Sequence, residues 1–126
     1  MRTEQFEVSR FMACAGQEVP STPCIPPLPV QALRLRLHRE EAVDELDHAF
    51  SSGDIVLVAD SIADSLVVIL GTAVACGIDI KPIFDEVMRS NMTKFIDGHR
   101  DPGGKWIKGP SYEPANIEPL LAAQSA

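Results

Sequence analysis

The sequence predicts an all-α fold, a four-helix bundle followed by an irregular tail. Three observations carry this prediction. Apolar residues recur at three- and four-residue spacing through four segments. Gly, Pro and Ser-Gly breakers separate those segments. No alternating period-two run precedes the tail. The length of 126 residues suits a single domain over 1–126, with 98–126 as the irregular tail.

The first helix is expected from about Thr3 to Ala15. It stops at Gly16, a residue suited to the left-handed position beyond a helix end. VPSTPCIPPLP follows as a proline-punctuated connection. The second helix runs from about Val30 to Phe50, and Ser51, Ser52 and Gly53 break it. Asp54 then caps a third helix, about Ile55 to Cys76, which ends at Gly77. Asp79 caps the fourth, which tolerates Pro82 in its first turn and reaches about Phe95. The tail, DGHRDPGGKWIKGPSYEPANIEPL, reads as a loop or short hairpin with a terminal turn near Ile117–Leu121. Short connections make the helices near-antiparallel neighbours.

A formal net charge of −7 argues against a nucleic-acid polymer as partner, which would call for a basic face. It fits a chain that gathers carboxylates, for solubility or for metal. Cys14, Cys24 and Cys76 are an odd number without a Cys-x-x-Cys, so neither a disulfide framework nor a zinc finger is expected. Cys76 reads as a small buried side chain. A reducing, cytoplasmic setting follows. MRTEQFEVSRF lacks an apolar signal core, and the apolar run Leu66 to Cys76 is too short to span a bilayer, so no membrane partner is expected.

The acids sit where a core is expected. On the second helix Leu33 and Leu37 begin a stripe that continues through Glu40, Glu41 and Asp44 at about 100° per residue. Leu35, Val43, Leu46 and Phe50 form another stripe, so this helix is apolar on two sides, as at a dimer interface. On the third helix Asp60 and Asp64 share a stripe with Val56, Leu57, Val67 and Gly71, while Ile62, Leu66, Ile69 and Ala73 occupy the other side. A helix apolar all round is expected inside. A buried carboxylate must be protonated, paired or metal-bound. Arg34, Arg36 and Arg39 could pair with these acids; four or five converging acids otherwise suit Mg²⁺ or Mn²⁺, which take oxygen ligands. On the fourth helix Asn91 continues the stripe of Ile80, Phe84 and Val87, with Lys94 nearby. This pair either stabilises the helix end or offers a donor and a cation to a phosphate.

EEAVD (40–44), DSIAD (60–64) and the Asn-x-x-Lys of NMTKF resemble the MazG-like all-α nucleotide pyrophosphohydrolases, which carry a Glu-x-x-Glu pair on one helix and a Glu-x-x-Asp pair on the next. GTAVACGIDIKPIFDEVMRSNMTKF, GGKWIKGPSYEP and FMACAGQEVPSTP resemble a small single-domain, phosphoribosyl-ATP pyrophosphohydrolase-like branch found in phages and bacteria. The resemblance implies a dimer-forming four-helix bundle that cleaves a nucleoside triphosphate, such as a dNTP, to monophosphate and pyrophosphate. Residue by residue, it places Glu41 and Asp44 in the first pair and Asp64 in the second. Ser61 stands where the Glu of the second pair falls, with Asp60 as its substitute. The implied metal is Mg²⁺, or Mn²⁺, held by Glu41, Asp44, Asp60 and Asp64. Glu40 joins Glu41 as a catalytic carboxylate and orients or deprotonates the attacking water.

Asn91 and Lys94 are implied to contact phosphate or sugar, and Lys105 and Lys108 to close over phosphates. Trp106 and Tyr112 either stack on a base or anchor the tail, and Gln17 is a further candidate for base or sugar contact. A homodimer or a tetramer of paired dimers is expected, in the cytoplasm of a bacterium or of a phage's host.

Two other readings compete. Glu45-Leu-Asp-His48 is a Glu-x-x-His pattern of the kind di-iron bundles use twice, but no second copy is present, because Arg89 stands three residues after Glu86. A non-catalytic helical interaction module would use the acids for solubility alone.

Overall fold

Helix α1 spans Arg2–Cys14, α2 Leu28–Leu37, α3 Glu45–Ser52 and α4 Ile55–Ala75. Between α2 and α3 a π-helical turn covers His38–Asp44, so the expected second helix is continuous but not α throughout. Helix α5 is Ile80–Met92, extended by a 3₁₀ turn at Thr93–Phe95. Strands β1, His99–Arg100, and β2, Trp106–Ile107, form an antiparallel hairpin with His99 opposite Ile107, and α6 is Glu118–Gln124. This is a computed structural model, and it describes residues 2–125, with the side chain of Arg2 outside that description.

Local chemistry sets the boundaries. Gly53 takes φ 69°, a left-handed position that an L side chain resists, and ends α3. Asp54 Oδ1 accepts the Val56 N–H at 2.9 Å and caps α4, as the sequence led us to expect. Pro at the start of α2 fits a first turn that needs no backbone donor.

The chain forms two compact units, Met1–Asp79 and Ile80–Ala126. In the first, α4 is the hub and contacts α1, α2, the π turn and α3. Its inner stripe buries Ser61, Val68, Leu70, Gly71, Ala73, Val74 and Ala75. Val8 and Met12 of α1 and Ala49 of α3 are buried in the same unit. Arg34 reaches Val68 and Thr72, while the π turn reaches Ser61 and Ser65, so α2 and α4 run antiparallel. The connection before α2 is pinned at its middle, where Cys24 N–H donates to the Cys76 carbonyl at 2.8 Å. Cys76 itself is half-buried rather than enclosed.

The expectation that α4 is interior all round is not met within one chain. Ile55, Val56, Ile62 and Ile69 stay exposed, and so do Leu35, Val43 and Phe50 of the second apolar stripe. One chain has too few elements to cover both sides of these helices. The expectation from the uninterrupted apolar run also understated α4, whose 21 residues have the length and hydropathy of a membrane-crossing helix. Asp60 and Asp64 lie within it, and carboxylates at bilayer depth are costly.

Candidate active site

The π turn decides which acids meet. Its bonds close one residue later than α-helical ones, and the Glu45 N–H accordingly donates to the Glu40 carbonyl. A π turn holds about 4.4 residues, or about 80° per residue. Residues four apart then face nearly the same way, while residues three apart diverge by about 120°. Glu45, not Asp44, therefore points with Glu41.

Glu41, Glu45 and Asp64 each bring a carboxylate oxygen within 4.8 Å of the others. Glu41 Oε2 is buried with no hydrogen-bond partner among the described residues. A hydrogen bond to Glu45 is the main cause that raises the Glu41 carboxyl to about 7; burial and the charges of Glu45, Asp64 and Glu40 add to it. Burial, then Asp60 and Glu45, also raise Asp64. No cation among the described residues is seen to pair with these three carboxylates. Arg34 is spent on Val68 and Thr72, and Arg36 lies 3.8 Å from Glu40 in an exposed pair. Pairing of these arginines with the three acids is thus not what the fold provides. An orphaned carboxylate oxygen among three converging carboxylates fits a hard divalent cation.

Glu41 and Asp64 also line a cleft of about 330 Å³, whose walls include Val8, Phe11, Gln17 and Arg34. That volume lies at the small end of ligand pockets and accepts part of a nucleotide. Ser61 is buried and turns its hydroxyl toward the Glu41 carbonyl at 3.4 Å, so the position expected to bear a Glu is occupied by a short polar contact.

The model of the phosphoribosyl-ATP pyrophosphohydrolase family matches residues 8–91. The chain belongs to this family. No curated protein matches it. The family lies within the MazG-like all-α nucleotide pyrophosphohydrolases, whose activity is hydrolysis of nucleotide phosphoanhydrides and whose members typically need a divalent metal. The match runs from α1 through both acidic segments to Asn91 and stops before Lys94.

Set against the family's acid pairs, the sequence-derived residues divide clearly. Glu41 and Asp64 come together. Asp44 is exposed and outside the three-carboxylate group, because the π turn gives its place to Glu45. Asp60 is exposed, one turn before Asp64; it acts on Asp64 through its charge and is not a member of the group. Glu40 is exposed at the edge, beside Arg36. Gln17 reaches the cleft. Sequence reasoning noticed Glu45 only as half of a Glu-x-x-His pattern; its partner His48 is exposed and outside the group. It also missed Arg34 as a cleft residue. A buried cation on an apolar stripe was the available signal.

In the second unit Lys94 Nζ and Lys108 Nζ lie 5.8 and 4.7 Å from the Tyr112 ring centre. The Tyr112 hydroxyl accepts from Ser90 at 3.2 Å. Trp106 packs on Phe95 with ring centres 5.1 Å apart and donates Nε1–H to the Lys94 carbonyl at 2.7 Å. Both aromatics therefore anchor the tail. Asn91 is half-buried, and Lys105 is exposed in the hairpin loop, where its N–H donates to Asp101.

Proposed function

We propose that this chain hydrolyses a nucleoside triphosphate, most naturally a dNTP, to the monophosphate and pyrophosphate in a Mg²⁺-dependent reaction. The observation that carries the reading is the meeting of Glu41, Glu45 and Asp64 where Glu41 and Asp64 line a cleft that accepts part of a nucleotide. These three carboxylates would hold the divalent ions, with Mn²⁺ as an alternative to Mg²⁺. Bound ions of this kind neutralise phosphate oxygens and lower the pKa of a coordinated water. Glu40 stands next to Glu41 and is our choice for orienting the attacking water or taking its proton. Val8 and Phe11 give the cleft an apolar wall beside the carboxylates. Lys94 and Lys108, drawn to one tyrosine, offer cations to phosphate in their own unit.

We further propose a homodimer, in which the exposed apolar flank of α4 and the stripe of Leu35, Val43 and Phe50 meet a second copy. Light scattering that returns a monomer would remove this part.

The test is a panel of dNTPs and NTPs incubated with Mg²⁺ or with chelator. Stoichiometric pyrophosphate and monophosphate are expected with Mg²⁺ alone. Release of orthophosphate without pyrophosphate, or activity unchanged in Glu41→Gln, would overturn the reading.

A further inference from the structure

The connection between α1 and α2 meets the C-terminal end of α4 at two neighbouring points. The Cys24 N–H donates to the Cys76 carbonyl at 2.8 Å. Gly77, at φ 65°, lies so close to Thr22 that a Cβ there would collide with the Thr22 carbonyl. Pro20, Pro23, Pro26 and Pro27 stiffen the same stretch, because each fixes its own φ. The backbone of Cys24 is therefore held against that of Cys76.

This contact sets the spacing of the two cysteines. With standard bond lengths and a trigonal carbonyl, an N–O distance of 2.8 Å leaves their Cα atoms at most about 6.7 Å apart. Disulfides bridge Cα atoms about 4.4–6.8 Å apart. The side chains also feel one another: burial raises the Cys76 thiol first, and the nearby Cys24 adds to it, against Arg34. Both are free thiols. Cys24 is exposed, so a small oxidant reaches it first, whereas Cys76 is half-buried.

We propose that Cys24 and Cys76 form a reversible oxidation site, closed by a small-molecule disulfide and reopened by a thiol. The Cys24 thiolate attacks one sulfur of the oxidant, whose S–S bond breaks and releases a first thiolate. The Cys76 thiolate then attacks the Cys24 sulfur of the mixed disulfide and expels the second. The protons given up by the two cysteines end on the two released thiols. The protein loses two electrons and the oxidant gains them. Cys14 takes no part.

The crosslink fastens the middle of the connection to α4. Pro20, Cys24 and Pro26 wall a cavity of about 310 Å³, which shares Gln17 and Arg34 with the Glu41–Asp64 cleft. Oxidation thus stiffens a wall that adjoins the cleft.

The experiment incubates the whole chain with oxidised glutathione or with dithiothreitol, then alkylates free thiols before mass spectrometry and a thermal melt. Oxidised wild type should carry one alkylated cysteine, Cys14, and a Cys24–Cys76 crosslink located by fragment ions after digestion without reductant. Its Tm should exceed that of the reduced form by at least about 5 °C, because the bond closes a loop of about fifty residues. Dithiothreitol should restore the lower Tm and three alkylated cysteines. Cys24→Ser and Cys76→Ser should each abolish the crosslink and the shift, and Cys14→Ser should retain both. Cys24→Ser, at an exposed position, decides the matter if Cys76→Ser melts too early to measure. Three alkylated cysteines after oxidation would overturn the proposal. So would glutathione left on Cys24, or a crosslink made through Cys14 or to a second copy.

Discussion

Ser65 Oγ sits between two carbonyls, 3.1 Å from that of Glu41 and 2.8 Å from that of Ser61, and so ties α4 to the π turn. The bond fixes the backbone of a carboxylate whose own Oε2 has no partner among the described residues. Groups that orient a ligand's backbone or side chain matter to a metal site nearly as much as the ligand. Ser65→Ala should weaken Mg²⁺ binding by about tenfold. Its cost to stability should stay near about 1 kcal/mol. A titration by calorimetry and a denaturant melt separate the two effects. Unchanged Mg²⁺ affinity would remove Ser65 from the site.

The assignment of Glu45 over Asp44 yields a paired test. Glu41→Gln, Glu45→Gln and Asp64→Asn should each lower kcat/KM by at least about a hundredfold if they hold the ions. Asp44→Asn and Asp60→Asn should stay within about fivefold, because neither joins the carboxylate group. Equal losses in Asp44→Asn and Glu45→Gln would show that the π turn does not set the ligands.

Crowded carboxylates make the metal-free protein sensitive to pH. Glu41 is raised to about 7, chiefly by its hydrogen bond to Glu45, and Asp64 is raised by burial. A carboxyl raised on folding contributes stability below its unfolded value, and that contribution is lost as pH rises through the folded value. With chelator present, the melting temperature should therefore fall as pH moves from about 4.5 through about 7. Saturating Mg²⁺ should raise it more at pH 8 than at pH 5, since ions displace protons from the same oxygens. A flat metal-free profile would contradict the raised Glu41 and Asp64 carboxyls.

In the second unit Glu86 is the opposite case. Its carboxylate accepts from Arg89 Nε at 2.6 Å and from the Asn116 N–H at 2.7 Å, and it is held down to about 2, first by Arg89 and then by that amide. A lowered carboxyl contributes above its unfolded value and loses the contribution as pH falls toward the folded one. Hydrogen exchange of the Asn116 amide should therefore stay slow at pH 5 and speed up as pH falls toward 2, after correction for intrinsic rates. Glu86→Gln should raise the Asn116 rate at pH 5 by about tenfold. Protection unaltered in that variant would mean the tail is held without Glu86, by contacts such as those of the Ser90 and Thr93 hydroxyls to the Glu113 backbone.

The helices were legible because their boundaries rest on local chemistry that Gly53 and Asp54 write into the sequence. Glu41 and Asp64 were legible because carboxylates interrupt apolar stripes. Glu45 was not, since a fixed 100° step assumes every turn is α-helical, and nothing in HREEAVD announces the extra residue. Asp60 is a related case: it lies outside the carboxylate group, and its nearness in sequence to Ser61 says nothing about Ser61 being the residue turned inward. Arg34 stayed hidden because its partners Val68 and Thr72 lie more than thirty positions away, and a long-range wall cannot be read from spacing.

The π turn also separates the facing of the carboxylates from the facing of the helices on either side. One residue added to an α-helix swings everything beyond it by about 100°. Here the surplus is confined to the seven residues His38–Asp44. On either side the facing is kept, with Arg34 against α4 and Ala49 in the core. The wider turn is absorbed locally, and the carboxylate that meets Glu41 and Asp64 is the one four residues after Glu41. The cluster is thus defined by a location in space, which a count of residues along an ideal α-helix misses by one position.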